Sequence, residues 1–139
     1  MASFKVLRRI SFGDCDPSGI AYFPSYLNLL NGVVEAWWAS LGLPWRDLVL
    51  SRRIGLPTVH LDVDFVSPGE LGDDLLFALR VERLGTKSLT LAHTVDRDRT
   101  RLWQARQVVV ATSLDTRGAL DWPDDLRSAV TSFMETPDE

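Results

Sequence analysis

Two carboxylates stand close together near the amino terminus. In the stretch FGDCDPSGIAYFPSYLNLL, Asp14 and Asp16 flank the only cysteine, and Asp16 runs straight into Pro17. A second proline, Pro24, follows seven residues later and opens a run rich in apolar side chains. Proline disfavours the helical region for the residue before it, so Asp16 is held off any helix with its side chain set by the turn. If the stretch is extended, Asp14 and Asp16 point one way and Cys15 the other. Backbone N–H groups at a helix start have no partners inside the helix, which leaves donors around Phe23, Ser25 and Tyr26. Such donors hold an anion or a developing oxyanion. An acid and an oxyanion hole within one short loop are the parts that acyl transfer needs. On that reading the carboxylate would attack a thioester carbonyl, or activate water to do so, and the helix start would stabilise the tetrahedral oxygen. The same residues also have a plainer reading, because Asp before Pro-Ser-Gly is a turn former that caps its own backbone.

Other chemistries fit the chain less well. Cys15 as a nucleophile needs a basic neighbour to lower its pKa, and acids surround it instead. His60, Asp62 and Asp64 alternate along one segment, but that spacing matches none of the stronger zinc patterns and no cysteine pair accompanies it, so no metal is expected. There is no Gly-x-Ser-x-Gly elbow and no phosphate-cradling glycine loop ending in Lys-Ser/Thr. His93 reads as a strand residue with no nearby partner.

The elements that must position these groups follow from periodicity. Residues 4–12 alternate as a strand and GDCDPSG is a turn-rich loop. From Pro24 the apolar residues Tyr26, Leu29, Leu30, Val33, Val34, Trp37, Trp38 and Leu41 recur at spacings of three and one. That is the stripe of a helix with one buried side, wide enough to predict that the helix is largely enclosed. Pro24 suits the first helical position, and Gly42 with Pro44 ends the helix. Gly32 in mid-helix costs about 1 kcal/mol relative to Ala unless something packs closely on its face. Residues 45–52 read as a shorter helix. The period then becomes two: Val59, Leu61, Val63 and Phe65 form one set, predicting a strand over 58–66 with a core face. Further strands are predicted over 75–83, 88–95 and 102–114, with a hairpin tip at 96–101 and an interior strand at RQVVVATSL. A closing helix follows Pro123, with Asp124 and Asp125 in its first turn, where the helix dipole favours anions. Antiparallel strands with segregated helices predict an α+β fold, a long helix enclosed by a curled sheet. Pairing an exposed sheet edge with a second copy would protect it.

The chain of 139 residues reads as one domain, 1–139, ending in a frayed TPDE tail. Its net charge of −4 argues against nucleic acid as a partner. A single cysteine suits a reducing compartment, and no secretory signal or bilayer-length apolar run is visible, so the expected location is cytoplasmic, off the membrane.

RISFGDCDPSGIAYFPSYLNLL resembles the N-terminal signature of the 4-hydroxybenzoyl-CoA thioesterase family of hotdog-fold acyl-CoA thioesterases. The shared features are an apolar-Gly-Asp-x-Asp-Pro-x-Gly-Ile loop, then an aromatic, then Pro-x-Tyr opening the helix. Looser similarity continues through GLPWR, GLPTV, DFV and the Thr86-Lys87-Ser88 run, and it weakens after residue 96. The resemblance implies a long helix wrapped by a five-stranded antiparallel sheet. It also implies a homodimer or homotetramer with active sites at the subunit interface, and an acyl-CoA substrate with no separate cofactor; the expected acyl group is aromatic (benzoyl- or hydroxybenzoyl-like) or short to medium in length. In this sequence it implies Asp16 as the catalytic carboxylate and the Phe23 N–H as the group polarising the thioester carbonyl. Asp14 is expected to fix the loop. Tyr22, Phe23 and Trp37 are candidates for lining an aromatic acyl pocket, and His60 lies on a strand that the family places near substrate. Where the family's hydroxybenzoyl enzyme has a helix acid to meet the substrate hydroxyl, this chain has Asn31, which still forms hydrogen bonds. Thr86, Lys87 and Ser88 form the candidate CoA-binding segment, with Lys87 for a phosphate, and Arg83, Arg99, Arg101, Arg106 and Arg117 are further phosphate candidates. Two other roles suit the fold. An enoyl-CoA hydratase would want an Asp and His pair beside the helix, and no His lies in 12–38. A non-catalytic acyl-CoA or acyl-carrier binding module would keep Lys87 without needing Asp16.

Overall fold

The predicted apolar stripe forms α1 (Phe23–Ser40). The computed structural model describes residues 2–137, so the last two residues of the expected TPDE tail lie outside the described residues. Phe23, not Pro24, is the first helical residue, and Pro24 occupies the second position, where its missing N–H still forfeits nothing. At the other end Gly42 adopts φ +79°. Its N–H donates to the Ala39 carbonyl at 3.0 Å, and the Leu43 N–H donates to the Trp38 carbonyl at 3.0 Å. This is a Schellman cap, and only a residue at ease in the left-handed region closes it without strain. No helix among the described residues is long and apolar enough to cross a membrane.

In chain order the strands are β1 (Phe4–Arg9), β2 (Ile54–Gly55), β3 (Thr58–Phe65), β4 (Asp74–Leu84), β5 (Ser88–Arg97), β6 (Thr100–Val110) and β7 (Thr112–Ser113), and the chain closes with α2 (Asp124–Glu135). Five strands form one antiparallel sheet in the order β1-β4-β5-β6-β3, and β2 pairs with β7. Leu75, Phe77, Leu79 and Val81 of β4 share the buried face with Leu89, Leu91 and Val95 of β5 and Trp103 and Val109 of β6. Against it α1 buries Tyr26, Leu30, Val33, Val34, Trp37 and Trp38. Each such side chain contributes about 1.5–3 kcal/mol on leaving water. Trp122 stacks on Trp38 at 6.1 Å, and Phe133 of α2 meets Trp37 edge-on at 5.4 Å, so Trp37 is core and not pocket lining. The fold is α+β: one long helix on a five-stranded antiparallel sheet.

Several expectations are corrected. The helix is not largely enclosed in the single chain: Asn28, Asn31, Gly32 and Glu35 are exposed, because the sheet covers one side only. Nothing lies within 4 Å of where a Gly32 Cβ would stand, so no close packing explains that glycine. The 45–52 segment supplies a π-helical turn, Asp47–Ser51. β3 has no buried face. Leu61, Val63 and Phe65 do lie opposite Gln107, Ala105 and Trp103 on the helix side, but β3 is the sheet edge, and Val59, Leu61 and Phe65 stay exposed. The single strand expected over 102–114 breaks at Ala111 into β6 and β7. The β6 end remains interior, with Val108 and Val110 only half-buried.

His93 also has a partner. Its Nε2 lies 2.9 Å from the Gln107 Oε1, and the Gln107 amide N–H₂ donates to the Thr58 hydroxyl at 2.9 Å. Burial pushes His93 down from 6.5 to about 4, so it stays neutral in the folded state. Because the folded value lies below the unfolded one, its contribution is full above pH 6.5 and is lost as pH falls toward about 4. The loss amounts to roughly 3 kcal/mol at most. His93→Gln keeps a hydrogen-bonding group without the titration. Denaturant unfolding should show that variant losing less stability than the native chain between pH 6.5 and about 4.

Candidate active site

The acidic loop is a miniature hairpin. Cys15 pairs with Ala21 in an antiparallel bridge, the Asp16 N–H donates to the Ile20 carbonyl at 3.0 Å, and the Gly19 N–H donates back to the Asp16 carbonyl at 3.0 Å. Pro17-Ser18-Gly19 is the three-residue connection, with Gly19 at φ +81°. This is the hairpin loop that places glycine in the left-handed position. The Tyr22 N–H donates to the Asp14 carbonyl at 2.8 Å, so the hairpin leads directly into α1. Cys15 packs against the core while Asp16 is exposed, the alternation expected of an extended segment. Burial and the two flanking acids push the Cys15 thiol up, away from reactivity.

Asp14 fixes the loop: its carboxylate accepts from the Ser11 N–H at 2.8 Å across a short 3-10 turn, Phe12–Asp14. The Asp16 carboxylate accepts from the Ser18 N–H at 2.8 Å and from the Ser18 hydroxyl. These bonds hold Asp16 below the usual aspartate value and keep it ionised. At the helix start the Phe23 N–H has no acceptor among the described residues, whereas the Ser25 N–H donates to the Tyr22 carbonyl at 2.8 Å and is taken. Of the donors expected there, Phe23 is the open one outside the helix ladder.

Around this start runs a chain of rings. Tyr22 meets Phe23 at 5.8 Å, Phe23 meets Phe65 at 6.2 Å, Phe65 meets Tyr26 at 6.1 Å, and Tyr26 meets Trp103 at 5.3 Å. Tyr22, Phe23 and Phe65 are more than half exposed, so the outer end of the chain is an aromatic surface beside an acid.

The remaining expected residues lie elsewhere. Asn31 is exposed on α1. His60 is 2.8 Å from Asp62 and shares with Asp62 and Asp64 the sheet face turned away from α1, alongside Arg106 and Gln104. The structure does not bring His60 to Asp16. Thr86 and Lys87 lie in the turn between β4 and β5, and Ser88 opens β5. The Lys87 ammonium pairs with Asp121 at 2.7 Å, and the Trp122 N–H and indole N–H donate to the Thr86 and Ser88 carbonyls. Trp103, near the helix start, and Val110, near Lys87, are seven residues apart on β6, about 23 Å of strand.

Sequence reasoning missed a basic groove at the Lys87 end. Arg53, Leu56, Thr112, Ser113, Leu114 and Arg117 line it. Arg53 and Arg117 are non-glycine residues at φ 54° and 64°, conformations that composition and periodicity do not reveal. Arg53 pairs with Asp115 at 3.1 Å, and no partner holds the Arg117 side chain among the described residues.

The thioesterase-like superfamily model matches residues 10–130. The chain belongs to that family. Among relatives of this thioesterase-like chain is 4-hydroxybenzoyl-CoA thioesterase of Pseudomonas sp. strain CBS-3, 36% identical over 97 residues, covering 68% of this chain and 69% of the relative. A 1,4-dihydroxy-2-naphthoyl-CoA hydrolase of Synechococcus elongatus is 28% identical over 128 residues, covering 91% and 94%. The solved structure of the Pseudomonas enzyme superposes with a TM-score of 0.85 at 30% identity, covering 93% of this chain and 99% of that one. The fold of this thioesterase-like chain is therefore the hotdog fold.

A carbon-detected NMR titration of Asp16 tests the electrostatics of the loop. It should place the carboxyl below the ordinary aspartate value, and Ser18→Ala should move it upward. An unmoved titration would remove Ser18 as the cause.

Proposed function

We propose that the chain hydrolyses an aromatic acyl-CoA thioester, with Asp16 as the catalytic carboxylate and the Phe23 N–H as the oxyanion donor. The observation that carries this reading is the pairing, within one short hairpin, of an ionised acid with an open N–H at a helix start. Relatives named for hydroxybenzoyl- and dihydroxynaphthoyl-CoA support the substrate class, and the exposed rings of Tyr22, Phe23 and Phe65 suit an aromatic acyl group.

The carboxylate acts in one of two ways: directly on the thioester carbonyl carbon, or as the base that deprotonates an attacking water. The Ser18 bonds keep Asp16 ionised, the form that both roles require. On the direct route, attack would form a tetrahedral intermediate whose oxygen accepts from Phe23. Collapse breaks the C–S bond, the CoA thiolate leaves and takes a proton, and water then hydrolyses the mixed anhydride to release the acid and restore Asp16. The reaction needs no cofactor beyond the CoA carried by the substrate, and the single cysteine suits the reducing cytoplasm.

A second copy is part of the proposal. β3 is an open edge with exposed Val59, Leu61 and Phe65. Antiparallel pairing of two β3 strands about their middles sets the Phe65 end of one against the Thr58 end of the other. That would lay the partner's Lys87, Arg53 and Arg117 toward this chain's Asp16, so CoA could run along the interface with its phosphates on those cations. A tetramer would be a further step of the same kind.

One observation favours a different reading. The Asp16 carboxylate is hydrogen-bonded within its own loop, as a turn former would be. On that reading the chain is a non-catalytic module that binds acyl-CoA or an acyl carrier.

Asp16→Asn distinguishes the two. Thiol release from benzoyl-, phenylacetyl- and aliphatic CoA esters should fall about a thousandfold or more, with ester binding retained. Unchanged hydrolysis would remove Asp16 from the mechanism. Leu61→Lys on the β3 edge should shift light scattering toward monomer and lower hydrolysis at least about tenfold. A fully active monomer would end the interface proposal.

A further inference from the structure

Tyr26 lies in the first turn of α1, and its hydroxyl is buried. The Gly69 N–H donates to that hydroxyl at 2.8 Å. Gly69 returns the contact to the acidic hairpin, because its carbonyl accepts from the Ala21 N–H at 2.9 Å. Its neighbours do likewise: Glu70 bridges Ile20, and the Leu71 N–H donates to the Gly19 carbonyl at 2.9 Å. The Asp16 N–H in turn hangs on the Ile20 carbonyl. A continuous line of hydrogen bonds thus runs from the helix, through the loop of residues 69–71, to the backbone of Asp16.

The fit at Gly69 is tight. A Cβ there would stand 2.6 Å from both the Tyr26 hydroxyl oxygen and the Ile10 Cδ1, closer than real Cβ contacts allow. The loop can reach the hydroxyl only because it carries no side chain at this position. The Tyr26 ring is itself fixed between Phe65 and Trp103.

We propose that Tyr26 and Gly69 form a clamp that sets the separation between the Asp16 carboxylate and the Phe23 N–H. Tyr26 is then a positioning residue that never touches substrate. This inference rests on the roles given above to Asp16 and Phe23. A misplacement on the order of 1 Å at a reacting group costs about a hundredfold in rate, so a loosened clamp would act on the chemical step more than on binding.

Tyr26→Phe removes the hydroxyl and keeps the ring. Hydrolysis of benzoyl-CoA by this variant should show kcat lowered about 10- to 100-fold, with KM within about threefold of the native chain. Amide hydrogen exchange should quicken at Gly19, Ala21 and Gly69 and stay unchanged along β5. Gly69→Ala should give the same kinetic signature with the hydroxyl still present, and it serves as the readout if Tyr26→Phe fails to fold. The double variant Tyr26→Phe with Asp16→Asn should be no slower than Asp16→Asn alone, because the clamp acts through Asp16. A native kcat in a folded Tyr26→Phe or Gly69→Ala chain, or additive losses in the double variant, would overturn the clamp. If Asp16→Asn alone leaves hydrolysis unchanged, the functional reading fails first, and that outcome is distinct from a failure of the clamp.

Discussion

Six side chains on one stripe of α1 must leave water together, and the rest of the molecule is arranged around that requirement. The sheet meets it with a continuous apolar face, which β4, β5 and β6 provide from alternate positions. The indole rings of Trp37, Trp38 and Trp103 are the largest of the fully buried side chains, and the Schellman cap at Gly42 stops the helix where the apolar stripe runs out. Once the helix is seated, its first turn can emerge only beside Trp103 and Phe65. The open N–H of Phe23 is thus located by hydrophobic packing many residues away, at no cost to its own hydrogen-bonding capacity.

The hairpin before the helix completes that arrangement. A three-residue turn returns the chain so that Asp14, Cys15 and Asp16 run alongside Ile20, Ala21 and Tyr22, with the cysteine against the core and Asp16 in water. Exposure and two donors from Ser18 keep the second acid charged, while the first is spent on holding the turn. Two carboxylates of the same type thereby differ in exposure and in hydrogen bonding because their surroundings differ.

Much of this was legible in the sequence. The three-and-one spacing from Tyr26 to Leu41 located the helix to within a residue, since burial on one side leaves that signature whatever the partner surface is. The Pro17-Ser18-Gly19 turn followed from local backbone chemistry, and the expectation that Asp14 holds the loop came with the family resemblance. What could not be read were properties of relative placement. The alternation in β3 correctly sorted its two faces, yet pattern does not reveal that a strand ends up at an edge with nothing over it. The exposure of Gly32 and the strand break at Ala111 have the same origin. The hydrogen bond between His93 and Gln107 joins strands whose register no single segment encodes. Arg53 escaped notice because the groove it lines with Arg117 exists only once β2 and β7 have paired.

The ion pair between Lys87 and Asp121 has a consequence for anions that approach this hairpin. Both partners are largely exposed, so the pair contributes no more than about 1 kcal/mol and opens readily. An anion that docks on Lys87 must nevertheless replace a carboxylate already there. Asp121 is thus a resident counterion for Lys87, and its displacement is part of the cost of any anion that docks there.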